Sequence, residues 1–83
     1  MRANRAYHLI VSREGLEPAF MADPARLDRI EIVSVDDGEV ALYWDLNAKL
    51  AARLLKELRV DLVELEAEAF IDKWIGADAE DLF

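Results

Sequence analysis

No glycine or proline interrupts the chain from Glu39 to Ile75, and that run constrains the fold more than any other feature. Within it Ala51, Leu54, Leu55, Leu58, Leu62, Leu65 and Ala69 recur at spacings of three, one and four residues. At about 100° per residue they fall in a stripe roughly 100° wide, as an amphipathic helix requires. A strand would need strict alternation, which slips phase at Leu62-Val63. Asp45 or Asn47 can cap the start, and Gly76 supplies a C-terminal stop. The spacing therefore predicts a helix over about 46–75. That length exceeds the usual globular range, so a kink or tight turn near Arg59-Val60-Asp61 is the natural place for a break.

A second apolar set, Val60, Val63, Ala67, Phe70, Ile71 and Trp74, lies roughly 150° round the same wheel, in its C-terminal half. One helix on one sheet buries one stripe. The second needs a partner: the 16–28 segment, the first half of the helix folded back, or another subunit. These six residues are the candidate interface. Charge is ordered as well. Lys49, Arg53, Lys56 and Arg59 fill the first half, whereas Glu57, Asp61, Glu64, Glu68 and Asp72 form an acidic stripe down the helix. This opposes the helix macrodipole, and like-charged neighbours repel by a few tenths of a kcal/mol each. A solvated face accounts for the stripe. Two such halves running antiparallel would instead bring Lys49 toward Asp72 and Arg53 toward Glu68, in a helical hairpin or a two-fold dimer.

Upstream, "YHLIVS" alternates Tyr7, Leu9 and Val11 against His8 and Ile10, predicting a strand over about 6–12. Glu14-Gly15 marks a turn, and residues 14–28, with both prolines and Asp23 capping Pro24, read as a connection with short helical turns. Residues 29–44, "RIEIVSV", "DDG", "EVALYW", read as a hairpin. A two-residue type I′ turn at Asp37-Gly38 would set Val35 opposite Val40 and Val33 opposite Leu42, with Trp44 on the same face. Ile30, Ile32, Ala41 and Tyr43 then occupy the other face. Both faces are partly apolar, so something beyond one helix must shield the second. An acidic tail, 76–83, closes the chain.

Several chemistries lack material. The chain has no cysteine and no threonine, one histidine (His8) and two serines (Ser12, Ser34), so a nucleophile–histidine–acid set has almost no material. "DDGE" lacks the spaced oxygen ligands of a calcium loop, and Gly15, Gly38 and Gly76 are too scattered for a phosphate loop. A net charge of −8 repels phosphate backbones, and no apolar run reaches the roughly 20 residues of a membrane span. No catalytic residue, cofactor or metal, no nucleic acid and no membrane are expected.

The sequence thus predicts one α+β domain, a small antiparallel sheet of about three strands packed against one long amphipathic C-terminal helix. The function expected is a non-catalytic protein-interaction module, most simply an acidic cytoplasmic homodimer joined through the second stripe. An acidic binder or inhibitor of a basic partner, or a small-ligand domain with its site near Tyr43 and Trp44, is the alternative.

Overall fold

The computed structural model describes residues 1–13, 21 and 25–77. A short helix α1 (Ala3–Ala6) leads into β1 (Tyr7–Arg13). β2 (Leu27–Ser34) and β3 (Val40–Asn47) follow, then α2 (Ala48–Glu64) and α3 (Ala67–Trp74). The strands form one antiparallel sheet in the order β1-β2-β3. The α+β class and its three-stranded antiparallel sheet agree with the sequence. Most of the 14–28 connection, including the Asp23-Pro24 cap, and the end of the acidic tail lie outside the described residues.

The long helix is broken, and not where its length suggested. α2 continues through Arg59-Val60-Asp61, and the break falls at Leu65 and Glu66. Leu65 (φ −97°, ψ 151°) and Glu66 (φ −68°, ψ 155°) are both extended. Two extended residues expose backbone groups that need partners. Residues 1–3 provide them: the Ala3 N–H donates to the Leu65 carbonyl at 2.9 Å, and the Ala67 N–H donates to the Met1 carbonyl at 2.9 Å. The Arg2 guanidinium also donates to the Glu64 carbonyl at 2.6 Å. The break re-aims the second stripe. Phe70 and Trp74 turn into the core that Leu54, Leu58 and Leu62 already line.

The hairpin register is one residue from the predicted one. Ile30 pairs with Trp44 and Ile32 with Leu42, before a shift leaves Val33 opposite Val40. Turn and bulge set it together: the turn moves the pairing by two residues, which keeps the faces, and the shift between Ile32 and Val33 returns one, which exchanges them. The Gly38 N–H donates to the Ser34 carbonyl and the Ser34 N–H to the Glu39 carbonyl, so the loop holds four residues, Val35 to Gly38, rather than two. Gly38 alone in it has positive φ (72°), whereas a type I′ turn would need Asp37 there too. Because side chains alternate with period two, one step of register exchanges faces. Ile30 and Ile32 therefore join Leu42 and Trp44 toward the helices, while Val35 and Val40 are exposed.

The core lies between this inner sheet face and the helices: Ile30, Ile32, Leu54, Leu58 and Phe70 are fully buried. Tyr7 stacks on Phe70 with centroids 5.9 Å apart, and Trp44 meets Trp74 edge to face at 6.1 Å. Asn47, the cap foreseen at the start of α2, accepts from the Leu50 N–H at 2.9 Å. Gly76, with φ of 72°, follows the end of α3 as its stop.

Candidate interaction surface

The six residues of the second stripe separate in the fold. Phe70 and Trp74 are buried in the chain's own core, so they are not free to anchor a second subunit. Ala67 and Ile71 are half-buried beside them. Only Val60 and Val63, on α2 ahead of the break, remain well exposed, at 46% and 61%. A straight helix aligns all six, whereas the two extended residues rotate α3 relative to α2.

The acidic stripe divides for the same reason. Glu57, Glu64, Glu68 and Asp72 are exposed, but Asp61 is buried. Its carboxylate accepts from the Trp74 indole N–H at 2.9 Å and lies 2.6 Å from Lys73 Nζ. Asp61 is thus a tie between α2 and α3 with two donors on α3. Spacing placed it on a solvated face because the break was not visible.

Among the described residues a different surface is left uncovered. The helices occupy one side of the sheet, and the outward side chains of the other side form three rows. Ser12, Arg29 and Asp45 make the first, and Ile10, Glu31 and Tyr43 the second. His8, Val33 and Val40 make the third, with Leu27 and Asn47 beyond the first. Tyr43 is 60% exposed and Ile10 44%. The Arg29 guanidinium holds Asp45 through two bonds, at 2.8 and 2.9 Å, and its carbon lies 5.2 Å from the Tyr43 ring centre. The bond from Arg29 pulls the Asp45 carboxyl below the ordinary aspartate value, and Asp45 raises Arg29 in turn. An open depression of about 420 Å³ lies at this end of the sheet, lined by Ser12, Arg13, Leu27, Arg29 and Asp45.

The sequence pointed to this face by noting apolar residues on both sides of the hairpin. It grouped Val33 with Leu42 and Trp44, and Ile30 and Ile32 with Tyr43, whereas the observed register groups Ile30 and Ile32 with Leu42 and Trp44, and Val33 with Tyr43.

The foreseen ligand position near Tyr43 and Trp44 corresponds to an open depression of about 380 Å³, lined also by Leu42, Trp74, Gly76 and Ala77. Both indole donors beside it are committed within the chain: Trp44 Nε1 donates to the Ala77 carbonyl at 3.0 Å and Trp74 Nε1 to Asp61. At the far corner of the inner face Asp28 and Arg26 form a buried ion pair, with Arg26 Nε 3.0 Å from Asp28 Oδ1. Among the described residues no group of three histidine or acidic side chains could hold a metal ion, and no helix is long and apolar enough to cross a membrane.

Comparison with protein-family models, curated proteins and solved structures finds no match.

Proposed function

We propose that the chain is a non-catalytic association module, most simply a homodimer, and that it associates through the uncovered sheet face. The supporting observation is the exposure of Ile10 and Tyr43, with Val33 and Val40 in the adjoining row, on a sheet whose other face is already filled. An antiparallel sheet can leave one face to water when that face is polar; a face carrying large apolar side chains favours a cover. Charge on it is largely neutralised in place, since Arg29 holds Asp45 and lies near Glu31. A chain of net charge −8 repels its copies at most surfaces, and this one adds little to that repulsion.

Its size sets the strength. Strands about 4.8 Å apart and rising about 3.3 Å per residue give a face of about 15 by 25 Å. Pairing two such faces buries roughly 750 Å², below the size of stable complexes, so the association proposed is weak and transient, in the micromolar range or above. Sedimentation equilibrium across that range should show a monomer–dimer exchange, and Tyr43→Glu should abolish it while preserving the circular dichroism spectrum. Monomer at all concentrations into the hundreds of micromolar would refute the self-association reading.

The runner-up is capture of a basic partner. It draws on the exposed carboxylates of Asp36, Asp37 and Glu39 at the hairpin tip and of Glu68 and Asp72 on α3. Binding of that kind would weaken steeply with salt, whereas apolar self-association would not.

A further inference from the structure

From the order of side chains on the central strand we infer that the second copy lies face to face with the first, its strands antiparallel, about a two-fold axis that crosses the strands near Ile30. This rests on the self-association reading and specifies its geometry. The outward residues of β2 are Leu27, Arg29, Glu31 and Val33, in sequence apolar, positive, negative, apolar. Two sheets can be stacked with two-fold symmetry about an axis across the strands or along them. Across, at the level of Ile30, Arg29 lies over Glu31 of the second copy and Leu27 over its Val33. Along, Arg29 lies over Arg29 and Glu31 over Glu31. The first arrangement pairs every central residue with a complement, and the second pairs like charges at the centre.

On β3 the crossing axis adds one polar pair, while on β1 it sets Ser12 over the second copy's Ile10. Rows exchange under it, so the row of Ser12, Arg29 and Asp45 faces the second copy's row of Ile10, Glu31 and Tyr43. Asp45 then faces the second copy's Tyr43, whose hydroxyl is a donor suited to a carboxylate. Arg29 is already held by Asp45 of its own chain through two bonds, so its guanidinium is oriented before the copies meet. In this arrangement apolar contact from Ile10, Leu27, Val33 and Tyr43 supplies affinity, and the charges select orientation.

Charge reversal tests the axis. Arg29→Glu and Glu31→Arg should each weaken the dimer about tenfold or more, because either change puts like charges opposite one another. The combined reversal, Arg29→Glu with Glu31→Arg, restores the complement and should return the dissociation constant to within about threefold of the parent. Because Arg29→Glu also places a carboxylate beside Asp45, a second measurement leaves charge alone. The chain has no cysteine, so Leu27→Cys and Val33→Cys variants report cleanly. Mixed and treated with a short bismaleimide, they should link 27 to 33 between chains, in preference to 27 with 27. Preferred 27–27 links, or single reversals that leave association unchanged, would overturn the crossing axis and leave the dimer standing. A chain that never dimerises would remove both.

Discussion

Replacing Phe70 by alanine separates the two roles open to this residue. As an interface anchor it would cost association and leave the folded monomer intact. As a core residue it costs the monomer. The side chain is fully buried, stacks on Tyr7 and shares a cluster with Leu54 and Leu58. Truncations of buried phenylalanine cost about 3–5 kcal/mol, the sum of lost transfer energy and an unfilled cavity. At roughly 0.05–0.15 kcal/mol per residue, a chain of 83 residues has about 4–12 kcal/mol in all. Phe70→Ala therefore removes a quarter of the stability at least, and nearly all of it at the lower end. In urea, with a slope of about 1–1.5 kcal/mol per M for so small a chain, the midpoint should fall by about 2 M or more. The measurement belongs at low micromolar concentration, where association adds little to apparent stability. A variant that unfolds at the parent's midpoint with the parent's slope would show that Phe70 is not core and that the break at Leu65 does not turn α3 inward.

Gly38→Val should destabilise the hairpin by about 1 kcal/mol or more in the same urea assay, because a β-branched residue resists the positive φ of 72° that Gly38 holds; an unchanged midpoint would refute the left-handed turn. The Asp45 carboxyl should titrate below the ordinary aspartate value by nuclear magnetic resonance, and Arg29→Met should return it to that value. Because its folded value is depressed, the pair's contribution is complete above the ordinary aspartate value and is lost as the pH falls through the lower folded one. An Asp45 titration that ignores Arg29→Met would remove the ion pair from the account.

Local chemistry was legible in the sequence wherever one residue decides the outcome. Asn47 caps α2, Gly76 follows the end of α3, and the leucine stripe from Leu54 to Leu62 is buried as its spacing requires. The errors arose where two distant pieces decide together. Asp37-Gly38 is a strong two-residue turn signal, yet the turn spans Val35 to Gly38, and pairing of Ile30 and Ile32 with Trp44 and Leu42 fixes the register. The break at Leu65 carries no glycine, no proline and no local mark; its partners are residues 1–3, more than sixty positions away. That absence is why Phe70 and Trp74 looked like surface and Asp61 like one more exposed acid. The second apolar stripe was itself the visible trace of the break, since a straight helix had no way to bury both sets of side chains.

The bridge between residues 1–3 and 65–67 gives the molecule two amides with an unusual reporting role. The N–H groups of Ala3 and Ala67 are donors on the two sides of one closure, the isolated antiparallel bridge of Arg2 with Glu66 outside the three-stranded sheet. Exchange with deuterated solvent at these positions does not measure the fraying of α1 or α3. Met1 is exposed, so its local detachment alone frees the Ala67 proton, whereas the Ala3 proton is freed when residue 3 leaves Leu65, and the slower of the two rates gauges how often that enclosure opens.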